Sequence, residues 1–310
     1  MAEVGRFLLR RLGLSVFVVL VVTLLVAWAI RLSGDPAMML AEGAGSVTEQ
    51  DLRNIRAALG LDRPFWAQYG GFVGGMLTGD MGRSFMGGLP VARMVGQALP
   101  LTVMLAFLSL GVSLLVSVPL GVTAAVRRGG WVDQVIRVVS LVGLSFPNFW
   151  LAIMLVLVFS IALGWLPPSG TEGGVGLVMP VATMAVILSA TNVRLVRSAM
   201  LEVLGAQYVT VARSKGLRET VVLYKHALRN CAIPLITFIG LQFGGLIGGV
   251  VVVERVFNWP GMGSLAFDAV ASRDYPVLQA VVTVLAGMIV AVNLLVDVVY
   301  GLVDPRVRGQ

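Results

Sequence analysis

Scarcity constrains this chain before any motif is read. One cysteine (Cys231), one histidine (His226) and two lysines (Lys215 and Lys225) are spread over 310 residues. A single cysteine excludes an intrachain disulfide and leaves the redox compartment open. A metal centre needs several convergent His, Cys or carboxylate ligands, which this inventory does not supply. A phosphate loop needs Gly-Lys followed by Ser or Thr. Here Ser214 and Tyr224 precede the lysines, so the chain has no nucleotide loop of its own. Hydrolytic chemistry is equally short of parts. His226 has only Glu219 as a nearby carboxylate and reads as a helix-face residue at a membrane interface. Charge is the last scarcity: 13% of residues carry one, against about a quarter in soluble domains.

What replaces charge is long apolar sequence. Hydrophobic residues make up 57% of the chain, and runs near the roughly twenty residues that span a bilayer lie at Leu12–Ile30, Leu101–Val126, Val138–Leu163, Leu177–Leu195, Ala232–Val253 and Val277–Val303. The fourth is the weakest, interrupted by Thr183, Ser189, Thr191 and Asn192. The expected fold is all-α: a polytopic membrane protein with six transmembrane helices. Short translocated loops avoid Lys and Arg. Placing the N-terminus inside collects 15 of the 23 basic residues on the cytoplasmic side. Both termini are therefore expected to be cytoplasmic. The net charge of +7 then gives a basic inner face that suits anionic membrane lipid, and nothing points to nucleic acid. Leu12–Ile30 is long for a signal-peptide core and lacks a small-x-small cleavage site, so it reads as a retained anchor.

Composition shifts near Pro100, dividing an anchor plus outer segment (1–98) from a five-span core (99–310). Within the outer segment, Thr48 ahead of Glu49 and Asp51 predicts a helix start, with Gly60 closing the run at Leu59. A second helix is predicted from Pro64 to Leu77, ending at Gly79. In the core, Pro119 and Pro147 interrupt the second and third spans and predict kinks. The fifth span carries Gly240, Gly244 and Gly248 at every fourth position, with Gly245 and Gly249 alongside. Such spacing permits close helix packing in lipid; it also suits a helix that lines a path and must slide or bend.

Ionisable residues deep in a span are expensive and mark proton relays or ion paths. Asp297 is the acid best placed inside an apolar run, but it lies toward the inner end of the last span, where a structural salt bridge explains it. Asn293 and Gln242 are polar candidates for a path lining. Energy coupling within this chain is not evident, which directs attention to a basic segment between two spans, Gln207 to Pro234. There Tyr208, Val211, Ala212 and Lys215 follow helical spacing. Arg213 and Lys215 suit the C-terminal dipole, and Gly216, with Leu217 beyond it, provides a left-handed stop. Two readings stand open on this pattern: an amphipathic helix resting on lipid headgroups, or a lever that docks in a partner's groove, where small Thr210 and Ala212 allow close approach.

Thr210-Val211-Ala212, then Gly216, then His226, Leu228 and Arg229 resemble the EAA loop of ABC importer permeases, with Thr210, Val211 and Arg229 replacing the family's glutamate, first alanine and proline. Further motifs are similar to the dipeptide/oligopeptide/nickel branch: Gly34-Asp35-Pro36, Leu59-Gly60-Leu61-Asp62-Arg63-Pro64, Gly79-Asp80-Met81-Gly82-Arg83-Ser84, Ser145-Phe146-Pro147, Phe257-Asn258-Trp259-Pro260-Gly261-Met262-Gly263, Arg273-Asp274-Tyr275-Pro276 and Asp304-Pro305-Arg306. The likeness runs in order from the first outer loop to the C-terminus and resembles the first of two permease subunits in a type I importer.

The resemblance implies a non-enzymatic permease in the cell inner membrane that binds no cofactor itself. Two ABC ATPase subunits would use ATP and Mg, a second homologous permease would complete the pore, and an extracytoplasmic binding protein would deliver a peptide or related small solute. Tyr208, Thr210, Val211, Ala212, Arg213, Lys215, Gly216 and Leu217 would form the ATPase-coupling helix. Asp35, Trp259, Pro260, Gly261 and Asp274 would belong to the outer gate and docking surface. A self-contained secondary transporter or channel is the alternative; inverted repeats would mark it.

Overall fold

A computed structural model describes residues 2–32, 34–42, 48–170 and 172–303. Among these the chain is helical throughout, with one isolated β-bridge, Arg83 to Pro90. Among the described residues five helices are long and apolar enough to cross a membrane, and a sharply bent pair makes a sixth candidate if it forms one span. The chain clusters into two compact units: Met1–Thr102 with Pro260–Ala291, and Val103–Trp259 with Val292–Gln310.

The first unit begins with α1 (Ala2–Leu32), followed by short α2 (Pro36–Glu42), α3 (Glu49–Ala58) and α4 (Phe65–Thr78). Both sequence-predicted helices of this region form where their end signals lie. Thr48 and Asp51 make a reciprocal capping box at the start of α3, and Gly79 takes the left-handed conformation at φ +81° after α4. The next helix, α5 (Val91–Val126), starts well before Pro100, because Pro90 caps it and receives the Arg93 and Met94 amides on its carbonyl. The apparent boundary at Pro100 thus falls inside a helix. After Pro260 come α12 (Met262–Ala271) and the first part of α13 (Tyr275–Val303). Their Met262, Ala269, Val277, Ala280 and Val281 bury against Val91, Val95 and Ala98.

The second unit contains α6 (Trp131–Ser145), α7 (Asn148–Leu155), α8 (Val178–Leu204), α9 (Gln207–Ser214), one-turn α10 (Glu219–Val221) and α11 (Leu228–Val256). Wide π-helical turns extend α7 through Val156–Ala162 and join α10 to α11 across Val222–Ala227. The two prolines expected to kink their spans behave differently. α5 continues through Pro119 as one helix, whereas at Pro147 the third span breaks, and α6 and α7 meet at a bend of 99°. Phe146 before the proline is extended (ψ 128°), as steric conflict with a following proline ring favours. Its ring stacks on Trp150 at 4.5 Å.

Polar residues that weakened the fourth span in sequence face inward on α8. Asn192 donates to the Ser113 hydroxyl at 3.0 Å, Ser189 to the Ser113 carbonyl at 3.4 Å, and Thr183 to the Met179 carbonyl at 2.8 Å. Gly121 lets α5 approach α8, because a Cβ there would lie 2.6 Å from that of Val196. Gly240 plays the same part toward Val296 of α13, whose side chain an added Cβ would overlap. Cys231 is buried beside the Met200 sulfur at 3.7 Å, among Leu223, Ala227 and Leu235.

One ion pair ties α6 to α8. Arg197 Nε and Nη2 donate to the two carboxylate oxygens of Asp133 at 2.6 and 2.8 Å, and the Gly129 amide adds a third bond at 3.0 Å. Asp133 is fully buried, so its charge depends on those donors. Arg197→Ala leaves a buried carboxylate without its counter-ion and is expected to destabilise the fold by about 3 kcal/mol or more. Thermal unfolding in detergent measures this, and a midpoint equal to wild type would show the pair to be dispensable.

Candidate coupling site

The basic segment between α8 and α11 is held by a small apolar anchor. Gly205 ends α8, Ala206 is extended, and α9 runs for two turns from Gln207. Val209 and Ala212, three residues apart and so on one face, bury against Val222 with Val203 and Leu204 beside them. Past Lys215 the backbone enters the left-handed region at Gly216 (φ +74°), whose amide returns to the Arg213 carbonyl at 2.9 Å. Chain reversal then brings Glu219 of α10 to Arg213, with bonds of 2.7 and 3.2 Å.

This placement sorts the expected coupling residues into two groups. Ala212 points into the chain and contributes its methyl to the anchor. Tyr208, Val211 and Leu217 are 40%, 53% and 41% exposed, and Thr210, Arg213, Lys215 and Gly216 are exposed with them. The inward stripe is therefore Val209 with Ala212, while Tyr208, Val211 and Lys215 share the exposed side. Sequence spacing missed Val209 and Glu219; the signal for the second was an acid at the start of a new helix, directly after Arg218.

Residues expected at the opposite loops occupy the roots of those loops. Asp274 is buried; its carboxylate accepts from the Ser84 hydroxyl at 2.5 Å and the Phe85 amide at 3.1 Å. Asp35 accepts from the Ala37 amide at 2.9 Å and pairs with Arg56 at 2.6 Å. The Tyr275 hydroxyl bonds the Gly34 carbonyl. Trp259 is 1% exposed and Gly261 is buried, so of these five residues Pro260 is the exposed one. The loop roots are closed by left-handed Asn258 and Arg273, after which the Trp259 and Asp274 amides reach back to Glu254 and Ala269.

Of the path candidates, Pro147 sits exposed at the α6–α7 break, Gly248 faces open space, and Gly244 and Asn293 are half-buried. The Gln242 Oε1 is buried without a hydrogen-bond partner among the described residues. Asp297 lies on α13 with its side chain outside the described residues. No group of three or more metal-ligating side chains occurs among the described residues.

The family model for "Binding-protein-dependent transport system inner membrane component" matches residues 117–309, and "Binding-prot-dependent transport system membrane comp, N-term" matches residues 4–106. The chain belongs to this permease family. It is 38% identical over 304 residues to the glutathione transport system permease protein GsiC of Pectobacterium atrosepticum, covering 97% of this chain and 98% of that protein. Against the probable peptide ABC transporter permease protein y4tP of Sinorhizobium fredii the identity is 39% over 313 residues, covering 98% and 99%. Its fold is similar to that of the MetNI methionine ABC transporter in an inward-facing conformation, with TM-score 0.60 at 16% identity over 68% of this chain and 97% of that one. The permease is a non-catalytic, multi-pass subunit that works within a binding-protein-dependent ABC transporter complex alongside ATPase subunits.

Two predictions follow from the segment's geometry. Val211→Glu alters an exposed side chain and is expected to leave the permease folded, whereas Ala212→Glu buries a charge in the anchor and lowers the yield of folded protein. Size-exclusion profiles of both variants in detergent measure the difference; equal yields would contradict the inward placement of Ala212. The second concerns pH. Hydrogen bonding from Arg213 holds the Glu219 carboxyl below the usual carboxylate range. A depressed folded-state value means the pair's contribution is complete at neutral pH and is lost as pH falls through that value. With side chains 44% and 50% exposed, the contribution is screened to ~1 kcal/mol or less. Glu219→Gln should lower the unfolding midpoint at neutral pH, and the gap from wild type should close as pH falls through the depressed Glu219 value.

Proposed function

We propose that this permease forms half of the translocation pathway of an ATP-driven importer, paired with a second homologous permease above two ABC ATPase subunits. An extracytoplasmic binding protein would deliver the solute, of the peptide class, as the names of the glutathione and peptide permeases above suggest. ATP and Mg act at the partner ATPases. Both termini and α9 lie on the cytoplasmic side in this reading, supported by the basic residues gathered in that segment.

The observation that carries the proposal is the split of α9 into an anchored and a free face. Val209 and Ala212 fix it to the base of α8 and to Val222. Tyr208, Thr210, Val211, Lys215 and Leu217 present a mixed apolar and basic surface that fits a cleft in an ATPase. A push on that surface passes through the anchor into α8 and, through the Arg197–Asp133 pair, into α6. Nucleotide state in the partner then biases a two-state alternation of the pore. At the other end, the Asp274–Ser84 and Asp35–Arg56 bonds set the shape of the loops that meet the binding protein, and Trp259 to Gly261 support the gate from within. Gln242, Asn293, Pro147, Gly244 and Gly248 are proposed along the path.

The test is reconstitution. The whole complex with binding protein and ATP should accumulate a labelled di- or tripeptide in proteoliposomes, and Val211→Glu should abolish uptake while the permeases still assemble. Accumulation by this chain alone, or normal uptake by Val211→Glu, would overturn the proposal.

A further inference from the structure

Helix α4 has an apolar face that its own unit leaves uncovered. Between Phe65 and Thr78 the sequence contains no Lys, Arg, Asp or Glu, and no residue of the helix is buried. Helical spacing sorts it into two apolar stripes. Phe65, Tyr69, Phe72 and Met76 form one. Arg31 lies over the Phe65 ring at 4.4 Å, Tyr69 bonds to α1, and Phe72 packs on the valine core. Trp66, Gly70, Val73 and Leu77 form the other, and it points away: Trp66 is 69% and Leu77 85% exposed, and a Cβ on Gly70 would meet nothing within 4 Å. A helix with two apolar stripes needs apolar surroundings on both.

The contacts with α1 say what those surroundings are. The Tyr69 hydroxyl donates to the Leu20 carbonyl at 3.0 Å and lies 2.9 Å from the Thr23 hydroxyl. Gln68, one residue earlier, accepts from Arg31 at 2.5 Å. Leu20 and Thr23 sit inside the candidate span Arg10–Leu32, about 14 to 18 Å along the axis from Leu32 at the helical rise. The hydrocarbon core is about 30 Å thick, so Tyr69 reaches toward the middle of the bilayer from the Leu32 end. Charges flank the helix on both sides, Asp62 and Arg63 before it, Asp80 and Arg83 after it, as expected where chain ends return to the polar interface.

We propose that α4 is embedded in the lipid leaflet at the Leu32 end of α1, with the Trp66–Val73–Leu77 stripe packed on acyl chains. The segment between the first two spans is then partly a membrane element. On α1 itself Leu25 and Trp28 are likewise 59% and 57% exposed.

The test uses the assembled transporter in lipid bilayers with a nitroxide attached through Leu77→Cys. Leu115→Cys serves as the lipid control, since Leu115 lies within the α5 span and is 77% exposed. Asp62→Cys serves as the aqueous control. Collision of the label with oxygen, which partitions into lipid, is compared with collision with a water-soluble nickel chelate. The expected result at Leu77 is a positive depth parameter, as at Leu115, with a negative one at Asp62. A negative value at Leu77 would place the stripe in water, and low collision with both reagents would place it under another subunit; either overturns the proposal. The same label at Trp66 gives an independent reading where the Leu77 variant does not assemble.

Discussion

Hydrocarbon gives a polar group no partner, and that single constraint orders the interior of this permease. Asp133 is fully buried and keeps its charge because Arg197 and the Gly129 amide surround it. Ser113 is buried on α5 and meets Asn192 and Ser189 of α8. Asp274 is buried and meets Ser84 and Phe85. Each polar cluster joins elements distant in sequence, and each is made of groups that would be stranded if those elements separated. Apolar packing alone distinguishes poorly between lipid and a neighbouring helix; these bonds supply the distinction.

The same logic links the proposed site to the body of the protein. α9 is short, and a two-turn helix has little stability of its own. Its position comes from two buried side chains and the Arg213–Glu219 bridge that closes the turn at Gly216. Anchoring on one side and exposure on the other allow a small element to carry force without becoming part of the core. The Asp133–Arg197 pair, close to the turn between α5 and α6, joins α8 to the start of α6.

Most of the architecture was legible because the bilayer imposes length and polarity on every span. End signals for α3 and α4 were equally direct, since capping depends on local chemistry alone. Three features were not legible. Pro147 breaks its span, while Pro119 leaves its helix continuous. Pro100 coincides with a change in composition yet sits within α5, because the true helix start at Pro90 precedes the apolar run. On α9, Tyr208, Val211 and Lys215 share the exposed side, but Ala212 of the same spacing turns inward with Val209; the partners from Val203 to Val222 that bury them lie outside the window. Asp274 and Trp259 looked like surface chemistry in sequence and are buried supports of the loops that carry them.

The isolation of Cys231 has a practical side. Burial beside Met200 pushes its thiol up to about 11, so at neutral pH the thiolate that reacts with maleimides is nearly absent and the sulfur is sheltered as well. Maleimide labelling of the folded wild-type protein is therefore expected to be slow at neutral pH. Fluorophores, crosslinkers and spin probes introduced at chosen positions should report on those positions alone, without first stripping the background of its native residue.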